Sequence, residues 1–107
     1  MTIYEKRTYD ITVGKMHDVV TAYKDFGWPA IEAGGFGEYL VGYFISDTGD
    51  LHQLIHIWRF EDDADRRAFW KRLFANEAFL AFAPRIRAHI AHQNVQLLNP
   101  APWGPNP

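Results

Sequence analysis

Residues 39–60 read YLVGYFISDTGDLHQLIHIWRF, from Tyr39 to Phe60, and their reading decides the fold. This is the longest apolar, β-branched and aromatic run in the chain, with Thr48-Gly49 near its middle. Two extended segments rich in Val, Ile, Tyr, Phe and Trp around a glycine-containing turn predict a β-hairpin. A two-residue turn that pairs Asp47 with Asp50 sets its register. Phe44, Gly42, Leu40 and Glu38 then oppose Gln53, Ile55, Ile57 and Arg59, with a Glu38–Arg59 charge pair at the end of that face. Ile45, Tyr43, Val41 and Tyr39 oppose His52, Leu54, His56 and Trp58 on the other face. The first face is aliphatic and the second aromatic and hydrogen-bonding. Neither shows a plainly solvated side, so both are expected to be covered.

Upstream of the hairpin, Thr2 to Ile11 alternates as a first strand, placing Ile3, Glu5, Arg7, Tyr9 and Ile11 on one face. Gly14 ends it. Met16, Val19, Val20, Tyr23, Gly27, Ala30 and Ile31 then keep helical spacing, which predicts helix one over Lys15 to Ala33. Pro29 removes a helical hydrogen bond, so a kink or break is expected around Gly27-Trp28-Pro29. Gly34-Gly35 supplies the left-handed cap. Downstream, Glu61-Asp62-Asp63 brings negative charge to a helix start, where the macrodipole favours it. Helix two runs from Ala64 to Ala75, with Arg66, Arg67, Lys71 and Arg72 read as a solvated basic side. Asn76 is a candidate N-cap for a further helical piece carrying Phe79, Phe82 and Ile86 inward, and Pro84 should kink or restart it. His92 to Leu98 is a last strand. The Pro-rich tail from Asn99 is extended, and Trp103 within it should dock on a surface, its own or a partner's.

Composition narrows the class. The 107 residues make one domain, spanning 1–107, with 48% apolar and 16% aromatic content, enough for a core without staples. There is no cysteine, which excludes disulfides, thiolate catalysis and thiolate metal sites. Eleven basic against thirteen acidic residues give a formal charge of -2 and no basic stripe, so no nucleic-acid partner is expected. The chain shows no membrane-spanning run and no targeting presequence, which predicts a cytoplasmic protein.

The element order β-α-β-β-α-β predicts an α+β, ferredoxin-like fold: a four-stranded antiparallel sheet with helices on one face. The uncovered face would still be apolar. A second copy packed sheet to sheet, a homodimer forming a dimeric α/β barrel, resolves that. The resemblance of particular segments points the same way. Tyr4-Glu5-Lys6-Arg7-Thr8-Tyr9, Gly14-Lys15-Met16, Leu40-Val41-Gly42-Tyr43-Phe44, Gly49-Asp50-Leu51 and His56-Ile57-Trp58-Arg59-Phe60 are similar to the NIPSNAP family. So are Arg66-Arg67 and Leu97-Leu98-Asn99-Pro100-Ala101-Pro102. The resemblance implies the dimeric α/β barrel. The wider superfamily of that fold includes cofactor-independent monooxygenases and haem enzymes. Many members carry Asn followed by Val-Val before the histidine, where this chain has Gln53-Leu54-Ile55.

The aromatic face supplies the candidate site. Tyr39, Tyr43, His52, His56 and Trp58 share it, and Arg7 and Tyr9 would join from strand one. A small apolar pocket with a few polar tips is the usual form of a small-molecule site. His56 is the candidate catalytic residue, as a general base. Arg7, Tyr9, Tyr39, Tyr43, His52 and Trp58 are the candidate ligand-binding residues, for a small apolar or aromatic anionic molecule. A core with satisfied histidines, or a non-enzymatic ligand-binding or scaffold homodimer, is the alternative. No cofactor is expected, although a haem ligand at His17 or His89 stays open. No metal is expected: His52 and His56 are four residues apart on a strand, too far for one ion at about 3.3 Å per residue.

Overall fold

A computed structural model describes all 107 residues. Four strands form one antiparallel sheet: β1 (Ile3–Ile11), β2 (Leu40–Ile45), β3 (Gln53–Phe60) and β4 (Ile90–Leu98), in the spatial order β2-β3-β1-β4. All helices lie on one side. The expected ferredoxin-like α+β architecture is what the chain adopts. No helix is long and apolar enough to cross a membrane.

Helix one is interrupted where the sequence predicts, in an unpredicted form. It consists of α1 (Met16–Ala22), a π-helical turn (Tyr23–Gly27) and α2 (Trp28–Ala33). The Trp28 N–H bonds to the carbonyl of Tyr23, five residues back, and Pro29 follows within the first turn of α2, where its missing N–H costs little. Gly27 packs against the ring of Phe82, which lies 2.6 Å from where a Cβ would stand. Only glycine lets the two helical layers approach this closely.

Helix two is α3 (Asp63–Leu73), followed by α4 (Glu77–Phe82) and α5 (Pro84–Arg87). The Asp62 side chain caps α3 by accepting from the Asp65 N–H, and Asn76 caps α4 by accepting from the Phe79 N–H. Pro84 sits in the first turn of α5, as the sequence predicts, and Phe82 and Ile86 are buried.

The hairpin takes a different register from the one expected. β2 and β3 pair Tyr43 with His56, Phe44 with Ile55 and Ile45 with Leu54. That is two residues away from a turn closing at Asp47 and Asp50. Ser46 and Gln53 close the loop instead, through the Ser46 N–H to the Gln53 carbonyl and the Gln53 N–H to Ser46 Oγ. Gly49 and His52 both take left-handed φ, 73° and 62°. His52 therefore belongs to the turn and leaves the aromatic face.

A shift of two preserves the faces, because side chains alternate with period two. A bulge between Leu40 and Gly42 then exchanges two residues. Leu40, expected on the aliphatic face, stands opposite Trp58. Val41, expected on the aromatic face, borders a groove with Tyr4 and Ile57 on the other side. The expected Glu38–Arg59 pair is absent; Arg59 reaches Glu61 at 3.6 Å.

The core under the helices is aromatic. Phe69 of α3 is fully buried and meets Phe36, Tyr39, Trp58, Phe60 and Trp70 with ring centroids 4.9–5.6 Å apart. A second cluster, at the other end of the sheet, joins Tyr9, Ile11, Val19, Leu54, Phe82 and Ile86. The opposite sheet face is bare of helices. Ile55 and Ile57 are only half-buried there and Phe44 is 51% exposed. The tail touches this face, with the Tyr4 hydroxyl donating to the Pro107 carbonyl at 2.6 Å. Trp103 does not dock on its own chain: it is 76% exposed.

Candidate functional site

The two central strands set the site. In β1 and β3, Glu5, Arg7 and Tyr9 stand opposite Trp58, His56 and Leu54 on the helix-facing side. Period-two alternation alone places them there. Arg7 and His56 are thus direct neighbours across the strands, as the sequence anticipates.

His56 is 2% exposed. Its Nδ1 accepts from the Trp58 indole N–H at 2.6 Å. An indole nitrogen can only donate, so Nδ1 holds the lone pair and the proton of the neutral ring is on Nε2. Burial, with the Arg7 charge adding to it, pushes the imidazole from 6.5 down to about 3. Tyr43 stacks on the ring at 4.7 Å and Tyr9 meets it edge-on at 4.9 Å. A general base needs a free lone pair, and the one on His56 is already engaged. In this geometry His56 is a neutral ring whose Nδ1 lone pair is engaged and whose Nε2–H is a donor.

Burial raises the phenols of Tyr9, Tyr23 and Tyr43 above the ordinary tyrosine range, with the Arg7 guanidinium partly offsetting the effect at Tyr9. All three stay protonated at neutral pH.

Glu5 holds the charged part of the site together and was not singled out by the sequence. It is fully buried. Its Oε1 accepts from Arg66 at 2.8 Å and from the Trp70 indole at 3.2 Å, and its Oε2 accepts from Arg7 at 3.3 Å. The Arg7 guanidinium lies 4.3 Å from the centre of the Trp70 ring, a cation–π contact. Arg66 thus turns inward from a helix side read as solvated, while Arg67 stays 72% exposed. The signal that could have found Glu5 is its place on the Arg7–Tyr9 face. Its partners on α3 come from 61 and 65 residues away.

A cleft of about 400 Å³ opens beside this cluster, between helix one and the β2 edge. Val20, Tyr23 and Trp28 form one wall; Leu40, Tyr43, Ile45 and Leu54 form the other. Lys24, exposed and in no ion pair, is its one charged lining residue. The π turn carries both Tyr23 and Lys24, which places them on the cleft. Of the expected site residues, only Tyr43 lines it. Arg7, Tyr9, His56 and Trp58 cluster beside it. Tyr39 is elsewhere, packed on Phe60 and Phe69, with its hydroxyl accepting from Arg72 at 3.2 Å. His52 is in the turn, and neither His17 nor His89 reaches the cleft.

The sheet order and one-sided helices define a ferredoxin-like α+β protein with a cleft between its layers. The NIPSNAP family profile matches residues 4–105, and the chain belongs to that family. A NIPSNAP domain protein from Burkholderia xenovorans is 34% identical, with TM-score 0.85 over 97% of this chain and 99% of that one. A NIPSNAP family protein of unknown function from Agrobacterium tumefaciens is 32% identical, with TM-score 0.88 over 97% and 92%. An antibiotic biosynthesis monooxygenase shares the fold at TM-score 0.64 and 20% identity, over 94% of this chain and 99% of that one. None of the curated proteins matches.

Proposed function

We propose that this protein binds a small apolar or aromatic organic acid in the cleft between helix one and the sheet. One observation carries the reading: a cleft of about 400 Å³ whose lining is apolar except for a single unpaired cation, Lys24. Volumes of this order suit small organic ligands, with apolar walls giving affinity and one or two polar groups giving orientation. Binding without chemistry is favoured over oxygenation of the kind named for the monooxygenase neighbour. The phenols are held protonated and the His56 lone pair is taken, so no base faces the cleft.

Calorimetry with 2-naphthoate tests this. Saturable uptake is expected. Ile45→Trp, a half-exposed position on the cleft wall, should weaken it at least about tenfold by filling the space. Lys24→Ala should weaken it about fivefold, in keeping with a solvent-exposed charge contact. Absence of uptake, or equal uptake by Ile45→Trp, overturns the reading.

The working unit in this proposal is a homodimer joined through the bare sheet face. Phe44, Ile55 and Ile57 support it: they form an apolar stripe that no helix covers and that the tail reaches only at the Ile57 end. Light scattering should give twice the chain mass of 12.4 kDa. Phe44→Glu should shift the protein toward monomer, and a monomeric wild type at micromolar concentration would refute the dimer.

A further inference from the structure

Two buried donors beneath the helices have no acceptor: Arg7 Nε and His56 Nε2. They belong to residues directly opposed on neighbouring strands. One unpartnered buried donor costs about 1–3 kcal/mol, and native folds rarely keep two together. The nearest acceptors on Glu5 and His56 are already committed. Glu5 receives Arg7, Arg66 and Trp70; His56 Nδ1 receives Trp58. The rings of Tyr43 and Tyr9 close the flanks of His56.

Charge points the same way. Glu5 is the one fully buried carboxylate and faces two guanidiniums, Arg7 and Arg66, only 15% and 18% exposed, while Asp63 pairs Arg66 from the exposed side. A species that accepts two hydrogen bonds would satisfy both donors, and the Arg7 guanidinium favours one that is negatively charged. A metal cation would meet only donors there. A water molecule would satisfy the two donors without any acid, and is the outcome in which neither acid shifts them.

We infer that Arg7 and His56 form an enclosed carboxylate subsite, one oxygen taking the Arg7 Nε–H and the other the His56 Nε2–H. The carboxylate has two candidate sources: a free small acid, or the head of a molecule whose body lies in the cleft. Tyr43 is the shared wall, lining the cleft on one side and stacking on His56 on the other. Neither Arg7 nor His56 lines the cleft, so the subsite is tested separately from it.

The His56 Nε2–H resonance in histidine-labelled protein reads the subsite directly. Titration with formate, 2-naphthoate and neutral formamide separates the sources. A saturable shift with formate assigns a free acid. A shift with 2-naphthoate alone, lost in Ile45→Trp, assigns the head of a cleft ligand. Formamide should give neither. Arg7→Met should weaken the response at least about tenfold, since a hydrogen bond to a charged group is lost. Arg7→Lys keeps the charge but removes Nε, so it should weaken it too, and it serves if Arg7→Met does not fold. No shift with either acid, an equal shift with formamide, or undiminished shifts in the Arg7 variants overturns the inference. Calorimetric uptake of 2-naphthoate with a silent His56 would leave the cleft standing and remove the subsite alone.

Discussion

Glu5→Gln should destabilise the fold by about 3–5 kcal/mol, the cost of removing one partner from a buried ionic cluster. The substitution barely changes shape. It removes the negative charge that faces both Arg7 and Arg66, whose side chains are only 15% and 18% exposed. Neither guanidinium can deprotonate to relieve the imbalance. The amide must also offer its N–H₂ where one of three donors now bonds. A loss of this size is a large share of the usual 5–15 kcal/mol of a small domain. Urea unfolding midpoints measure it. Adding Arg7→Met to the Glu5→Gln protein should recover part of the loss, because one uncompensated charge disappears with its partner. A drop below about 1 kcal/mol would mean that water solvates the cluster and that Glu5 is not its keystone.

Acidification should weaken the wild-type protein through His56, by about 4 kcal/mol between pH 7 and pH 3. The sign follows from proton counts. In the unfolded chain the imidazole takes its proton near 6.5; in the fold, burial and then Arg7 hold it off until about 3. Between those values the unfolded state carries the extra proton, so falling pH favours unfolding. Above 6.5 the effect is gone. Carboxylates titrate in the same range, so the test is a difference. His56→Gln retains an acceptor for the Trp58 indole but does not titrate. Its stability should fall less steeply than that of wild type across this window. Parallel curves would show that His56 is charged at no cost in the fold, and that Nε2 is not sealed from solvent.

Much of the architecture is legible in the chain because it rests on local chemistry. Asp62 and Asn76 mark helix starts through their own side-chain bonds, and Pro84 restarts a helix because of its own ring. Period-two alternation puts Arg7, Tyr9, His56 and Trp58 on one face without any knowledge of the turn. What is not legible depends on distant partners or on loop length. Thr48-Gly49 looks like a two-residue turn, yet Leu51 and His52 extend the loop, and nothing in their identity announces it. Arg66 is no different in type from Arg67; only the packing of α3 over β1 decides which of them turns toward Glu5. The cleft is formed by a helix and an edge strand that meet only in three dimensions, so Val20, Lys24 and Leu54 carry no signal of it. The function of His56 depends on a proton position that Trp58 fixes and that spacing alone cannot supply.

The π turn at Tyr23–Gly27 also sets how this helix can change length. It holds one residue more than an α-helix needs over the same rise. Deleting one residue between 24 and 26 would merge the segments before and after it into a single α-helix with both flanking faces kept in phase, because the widened turn already absorbs the extra residue. Val20 and Trp28 would keep their wall, while the widened turn that carries Tyr23 and Lys24 onto the cleft would be lost. A gap of one position in this segment, when this chain is aligned with another, is therefore a change in the shape of the cleft and not a slip at a loop.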